Sequence, residues 1–511
     1  MNASISSNKR IMKNTMLLYL RMLFTMGVAL YTSRIILNVL GISDYGIYNV
    51  VGGVVTIFGV INAAMATASQ RFITFELGGG NINKLKIVFC TSLNIHILIS
   101  LVIFIIAETI GLWFFYTQLN IPIGRIGAAF WVYQFSVLTT MVMMITVPYN
   151  AVIIAHERMS AFAYISILEV VLKLLIVWAL TVFGIDKLIL YVVLLFIVQM
   201  IIQVVYVFYC RLFFKETKFQ LLWDGLLFKK MSAFAGWQLF GCTAGVAYTQ
   251  GLNILLNIFF GPAVNAARAV AVQVQNAIQN FSLNFQQAIN PQITKSYAIN
   301  DQERLSVLIN ASSKYSFFLV FFLSLPVLIE TQYILSFWLG IVPEHTANFI
   351  RIMLVVMMID VTANPLITAA AATGRIKTYQ MVVGGILLLI LPISYLFLKL
   401  GYNPEIVFLV HFGMVICAQI ARLFMLRKMI SFSIRRYFKE VALRSLIVGS
   451  ISIVLPLVVS EYLNSSFASF MIVCLICILS TSCSIYFFGL QKNEQHFAKE
   501  KVSQLYYKLK K

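Results

Sequence analysis

The chain has 511 residues, of which 60% are hydrophobic and only 11% charged, with a mean hydropathy of +0.90. Soluble domains carry about 25% charged residues, so this composition excludes a soluble enzyme and makes a lipid bilayer the solvent of most side chains. The net charge of +20 and pI near 9.6 would suit nucleic-acid binding only if the basic residues clustered, and they are instead scattered between apolar runs where they face anionic headgroups.

Those runs are long enough to cross a hydrocarbon core, which takes about 20 helical residues, and they lack the polar/apolar alternation of barrel strands. The predicted class is therefore all-α and polytopic. In chain order, spans are expected at 14–38, 46–69, 87–116, 126–154, 160–183, 188–210, 233–260, 263–290, 315–340, 346–372, 379–400, 404–426, 445–462 and 466–489. Basic residues resist translocation. With both termini cytoplasmic, thirty of the 38 Lys and Arg lie in cytoplasmic segments. Only Arg125, Lys187 and Lys399 lie outside, and five more lie within spans. The first span is too long for a signal peptide, carries Arg21 and lacks a small-residue cleavage site, so it is read as a retained helix.

Span 5 holds Glu169 and Lys173 four residues apart, in the favourable order for a helical ion pair. Each alone would cost about 2.5–3.5 kcal/mol at that depth. The pair reads equally as a gate, coupling site or anion contact, or as a neutralised pair holding its helix. Spans 7 and 8 are rich in amides, among them Gln250, Asn253, Asn257, Gln275, Asn276 and Gln279. So many amides favour a hydrogen-bonding lumen over interhelical contacts worth about 1 kcal/mol each, and suit a hydroxyl-rich substrate. Gly241 and Gly245 form a G-x-x-x-G, read as a close helix contact.

Asp360, midway along span 10, has no basic residue at helical spacing and precedes Pro365. It is a candidate for coupling to protons or sodium, or a hydrogen-bonded structural carboxyl. Arg34 and Arg268 sit near outer span ends and Arg21 nearer an inner one; each has the reach to snorkel, and together they would make a cavity positive enough for a pyrophosphate. Residues 428–440, from Lys428 to Glu440, mix basic and aromatic side chains as an interfacial helix does. Of the seven cysteines, Cys474 and Cys477 form a C-x-x-C inside an apolar run without His or carboxylate neighbours, so no metal and no disulfide framework are expected. A nucleotide-binding G-x-x-x-x-G-K-[ST] is missing, and no extracytoplasmic loop is long enough to carry a catalytic domain.

The chain also repeats. Arg34-Ile-Ile-Leu-Asn38 aligns with Asn253-Ile-Leu-Leu-Asn257, Gly41 with Gly261, and Ile73-Thr74 with Ile293-Thr294. The match pairs span 1 with span 7 and span 2 with span 8 in the same orientation, a parallel duplication of six helices. The expected organisation is a lobe over 1–220, a second over 221–430, and a segment 431–511 with the interfacial helix, two extra spans and a basic tail.

Asn14-Thr-Met-Leu-Leu-Tyr-Leu-Arg-Met-Leu-Phe24, Leu40-Gly-Ile-Ser-Asp-Tyr-Gly-Ile-Tyr-Asn49 and Tyr248-Thr-Gln-Gly-Leu-Asn-Ile-Leu-Leu-Asn257 resemble bacterial polysaccharide-biosynthesis flippases. Gly261-Pro-Ala-Val-Asn-Ala-Ala-Arg268 and Asn290-Pro-Gln-Ile-Thr-Lys-Ser-Tyr297 add to it. The resemblance is to the O-antigen translocase (Wzx-like) branch of the multidrug/oligosaccharidyl-lipid/polysaccharide (MOP) exporter superfamily and covers essentially the whole chain. It implies a transporter rather than an enzyme: a cavity between two lobes carrying a polyprenyl-pyrophosphate-linked oligosaccharide across a bacterial inner membrane by alternating access. It implies no cofactor beyond a coupling proton or sodium ion, and polysaccharide polymerase machinery as a partner. No site carries over residue by residue. The candidates for headgroup contact are Arg34, Arg268 and Lys173, with Arg71 and Lys295 on the cytoplasmic loading side; those for ion coupling are Asp360 and Glu169. The rivals are a cation-coupled multidrug antiporter of the same superfamily and a membrane enzyme acting on lipid-linked sugars.

Overall fold

The computed structural model describes residues 2–492 except 57, 120, 184–185, 219, 221–223, 340–341 and 464–465, together with 494–496 and 499. Among them every regular element is helical: α1 (Asn2–Thr56), α2 (Gly59–Gly78), α3 (Ile82–Ile106), α4 (Leu112–Gln118), α5 (Ile126–Ala155), α6 (Met159–Val182), α7 (Lys187–Phe213), α8 (Gly225–Phe260) and α9 (Pro262–Ala298). The chain continues through α10 (Gln302–Ile329), α11 (Thr331–Leu339), α12 (Thr346–Ala372), α13 (Lys377–Leu388), α14 (Ile390–Lys399), α15 (Ile406–Met429), α16 (Ile434–Tyr437), α17 (Leu443–Tyr462) and α18 (Phe467–Ser484). This is what hydrocarbon requires, since a helix satisfies its backbone hydrogen bonds within itself.

Eleven helical segments among the described residues are long and apolar enough to cross a membrane. They coincide with eleven of the expected spans. The other three, 14–38, 46–69 and 263–290, fall on α1, on α1 with α2, and on the amide-rich α9. Two elements differ from expectation. Span 9 begins earlier, at Gln302, and its helix ends at Ile329, four residues after Leu325 and beside Pro326, whose missing N–H weakens the turn; α11 follows as a separate helix. The basic segment 428–440 is no separate interfacial helix. α16, capped by the Ser433 side chain, runs through a π turn over Phe438–Ala442 into α17. Tyr437 anchors it: the buried hydroxyl accepts from Gln419 Nε2 at 3.1 Å and donates to the Thr362 carbonyl at 3.4 Å.

Two compact units emerge, Met1–Thr243 with Gln287–Asp301 and Ala371–Met381, and Ala244–Gln286 with Gln302–Ala370 and Val382–Lys511. In the first, α5 is the central helix, burying Val132, Tyr133, Val152 and Ile153 against α2, α3 and α7. Tyr133 donates to the Ala107 carbonyl at 2.8 Å across a π turn, Ala107–Gly111, that separates α3 from α4. Residue 111 has to be glycine, since a Cβ there would lie 2.0 Å from the Tyr133 hydroxyl. At the sparsely charged ends of these helices, Arg125 bridges two carboxylates. Its Nε reaches Asp44 at 2.9 Å and its Nη1 reaches Asp186 at 2.5 Å. Asp186 also caps α7, accepting from Leu188 N at 3.0 Å.

In the second unit Phe349, Met357, Val361, Phe408 and Leu325 form the core. One buried amide ties it together: Gln286 Nε2 donates to Ser316 Oγ at 2.9 Å and to the Val361 carbonyl at 2.8 Å, while Oε1 accepts from Asn364 at 2.9 Å. Both donors and one acceptor position are engaged, which offsets the cost of burying the amide and fixes the register of α9, α10 and α12.

Gly41 and Gly261, aligned by the sequence repeat, both have a positive φ of 78°. No atom lies within 4 Å of a Cβ built at either. Glycine is therefore required for conformation rather than for space. Gly41→Ala and Gly261→Ala should each destabilise the protein by about 1–3 kcal/mol, read as a lowered melting temperature in detergent, whereas Gly245→Ala, in a helix with open space, should stabilise slightly. For Asp186, desolvation pushes the carboxyl up, but the bonds from Arg125 and the α7 backbone outweigh it and hold it below the usual carboxylate range. A depressed acid contributes stability that is present above its unfolded value of about 3.9 and is lost as pH falls through the lower folded one. Melting scans below pH 4 should show acid sensitivity that Asp186→Asn diminishes.

Candidate functional site

A cavity of about 370 Å³ lies inside the second unit, enclosed by α8, α9, α12 and α15. Helical spacing brings its walls together. Arg268, Val272, Gln275, Asn276 and Gln279 recur at intervals of three and four on α9 and so share one face. α8 adds Tyr248, Thr249, Gln250 and Asn253; α12 adds Met353, Val356 and Asp360; α15 adds Phe408 and His411.

The α8–α9 turn orients this wall. Gly261 N–H closes α8 on the Asn257 carbonyl at 2.9 Å, and Pro262 opens α9 at the position where no amide proton is needed. The helices double back so that Arg268 meets residues fifteen and nineteen places earlier. Its Nη1 donates to Asn253 Oδ1 and its Nη2 to the Thr249 carbonyl at 3.0 Å. Asn253 in turn donates to Gln250 Oε1 at 3.0 Å. The guanidinium is thus buried and held by neutral oxygens, which leaves its charge uncompensated at the cavity wall. Across the cavity, Asp360 makes no hydrogen bond or ion pair among the described residues, and Arg422 is the base whose field reaches it. His411 packs its ring 5.2 Å from that of Tyr248, and its buried Nε2 has no partner.

Of the residues singled out in the sequence, Arg268, Asp360, Gln250, Asn253, Gln275, Asn276 and Gln279 meet here. Asn257 is exposed one turn farther along α8 and does not line the cavity. Glu169 and Lys173 form an ion pair at 2.6 Å on α6 in the first unit. The field of Glu169 reaches Arg21 and Tyr206, and Arg21 stacks over the Phe162 ring at 4.6 Å. The Arg34 side chain lies outside the described residues. Tyr248 and His411 were not anticipated; a histidine in an apolar span was the available signal.

Arg71 and Lys295 lie away from this cavity, in the first unit at the basic ends of the helices, each with its own set of contacts. Arg71 Nη2 donates to the Ala372 carbonyl at 2.9 Å, with the guanidinium over the rings of Phe72 and Phe75. Lys295 Nζ lies 2.6 Å from Glu157 Oε1, and Gln292 donates to Glu157 Oε2 at 2.6 Å. Asn14 donates to the carbonyl of the same residue at 3.2 Å. Glu157, in the α5–α6 turn, is buried and adopts a left-handed backbone with φ of 58°, an uncommon conformation for glutamate that its bonds to α1 and α9 sustain. Sequence inspection passed over it because one acidic residue in a basic loop carries no distinguishing pattern.

No protein-family model matches the sequence, and no curated protein matches it. Solved structures do. An outward-facing multidrug resistance MATE family transporter of the MOP superfamily superposes with a TM-score of 0.69 at 14% identity, covering 82% of this chain and 96% of its own. The MATE transporter ClbM in complex with Rb+ gives 0.67 at 15% identity, over 85% and 97%. A MOP superfamily transporter from Pyrococcus furiosus, described as having a binding pocket of reverse polarity, gives 0.66 at 13% identity, over 82% and 96%.

Replacing Glu157 by alanine should destabilise the protein by about 3 kcal/mol, the lower end for a broken buried pair, because the Lys295 side chain is 23% exposed. Lys295→Met combined with Glu157→Gln should recover part of that loss, as measured by melting temperature. This chain has the fold of the MATE transporters of the MOP superfamily.

Proposed function

We propose that the chain is a flippase for a polyprenyl-pyrophosphate-linked oligosaccharide, moving its headgroup between leaflets of a bacterial cytoplasmic membrane while the polyprenyl tail stays in lipid. The observation that carries this reading is the α9 face of Gln275, Asn276 and Gln279 opposite Gln250 and Asn253 in one cavity. Carboxamides both donate and accept, as a hydroxyl-rich headgroup requires, and they lower the cost of taking sugars through hydrocarbon. Arg268, immobilised by Asn253 and Thr249, supports the anionic part of such a ligand through its field. Lys173 and Arg34 are further candidates for headgroup contact.

Flipping makes and breaks no covalent bond, so no catalytic group is assigned. Asp360 is the proposed coupling residue, with Glu169 the alternative. A carboxylate facing a cavity without a direct partner exchanges a proton or binds a cation as the cavity changes its access. The Glu157–Lys295 cluster would then hold the helix ends together on the cytoplasmic side whenever that side is closed. Surface-polysaccharide polymerase machinery is the expected downstream partner.

A multidrug cation antiporter is the second reading. It is favoured by the same unpaired Asp360 and by the multidrug resistance transporter among the structural neighbours. The cavity carries Arg268 and His411 beside the single acid Asp360, so the amide face rather than net charge is what separates the two. Gene deletion tests them together. Loss of surface glycan with the lipid-linked intermediate trapped on the cytoplasmic face is the expected outcome, and Gln275→Leu combined with Gln279→Leu should reproduce it. Normal glycan with new sensitivity to cationic drugs would establish the antiporter instead.

A further inference from the structure

A second cavity in the second unit, of about 540 Å³, opens between α10, α12, α15 and α17. Its walls are Leu325, Leu328 and Ile329, then Ile352 and Val355, then Leu409 and Phe412, and finally Ile453 and Leu457. Two polar residues interrupt them, Ser460, whose hydroxyl is turned back onto the Leu457 carbonyl at 2.8 Å, and Arg351. Leu409, Val355 and Leu457 are 50%, 39% and 46% exposed, so the groove continues onto the lipid-facing surface.

The four helices agree on its depth. The lining residues come from the last two turns of α10 and α17 and the first two or three of α12 and α15. Those are the ends poor in lysine and arginine, which the distribution of basic residues puts on the outer side of the membrane. Arg351 follows the start of α12 by five residues, about 7 Å at the helical rise, which is near the boundary between acyl chains and headgroups. Its guanidinium is oriented rather than free. Nε donates to the Leu328 carbonyl and to Thr331 Oγ1, both at 3.3 Å, while neither Nη group has a partner among the described residues. The carboxylates nearest in sequence are engaged elsewhere: Glu344 is exposed and lies 3.9 Å from His345, and Asp360 lines the amide-rich cavity, while Glu330 has its field on Cys474 and Cys477 of α18.

The geometry points to a binding site for an anionic phospholipid of the outer leaflet, one acyl chain lying in the groove and the phosphate accepting from the Nη groups of Arg351. Charge complementarity selects this occupant. An unpaired, pre-oriented guanidinium at the polar end of an apolar slot is matched by a chain bearing a net negative head, and a zwitterionic lipid offsets the attraction with its own cation. α17 forms one wall, so the site depends on a helix outside the six-helix repeat and is separate from the amide-lined cavity.

The test is native mass spectrometry of the full chain released from nanodiscs containing equal phosphatidylglycerol and phosphatidylcholine with matched chains. The wild-type protein should retain phosphatidylglycerol preferentially. Arg351→Gln should reduce that preference about tenfold, the worth of one charge-assisted contact, and Arg351→Lys should keep part of it. Val355→Trp, filling the slot, should reduce retention of both lipids. Leu457→Trp does the same from the α17 wall should the first variant fold poorly. A preference unchanged in Arg351→Gln, or lipid retention unchanged in both tryptophan variants, would overturn the site. Displacement of the bound phospholipid by an equal concentration of polyprenyl phosphate would overturn a phospholipid occupant.

Discussion

Hydrocarbon offers no hydrogen-bond partner, and that deficit organises the protein at every scale. It makes the backbone helical throughout the described residues. It also favours polar side chains that either find a protein partner or face a cavity. Gln286 takes the first course, with Ser316, Val361 and Asn364 meeting its needs. Gln275, Asn276 and Gln279, about two to three turns earlier on the same helix, take the second. Gln286 follows Gln279 by seven residues and so lies on the same face, and only what packs against that face at each level tells the structural amide from the cavity-facing ones.

The same deficit explains the treatment of charge. Arg268 is taken out of lipid by two neutral oxygens on α8, and Glu157 by a lysine and a glutamine from α9. These are opposite arrangements with different consequences. Glu157 is neutralised and fully bonded, which suits a residue that holds helix ends together. Arg268 keeps its charge, because carbonyl oxygens satisfy a guanidinium's protons without cancelling its field, and that suits a residue beside an anionic ligand. Glycine works alongside these contacts. Gly41 and Gly261 give the chain a positive φ in each half, and the turn at the second sets Asn253 against Arg268.

Composition, span length and the distribution of lysine and arginine determined the fold class and most of the span positions, because solvation in lipid acts residue by residue and leaves a linear record. The amide-rich pair of spans likewise marked the cavity, since amides are costly enough in lipid that their accumulation is visible without coordinates. Tertiary structure alone decided which amides share a cavity with Asp360, that His411 and Tyr248 complete the wall, and that Lys295 pairs with Glu157 while Arg71 bonds the Ala372 carbonyl. It also decided that Asn257 stands apart and that the basic stretch before α17 is that helix's own first turns. These properties depend on packing between helices far apart in sequence, where a shift of one residue turns a side chain by about 100°, and no local pattern in the chain records which neighbour it will meet.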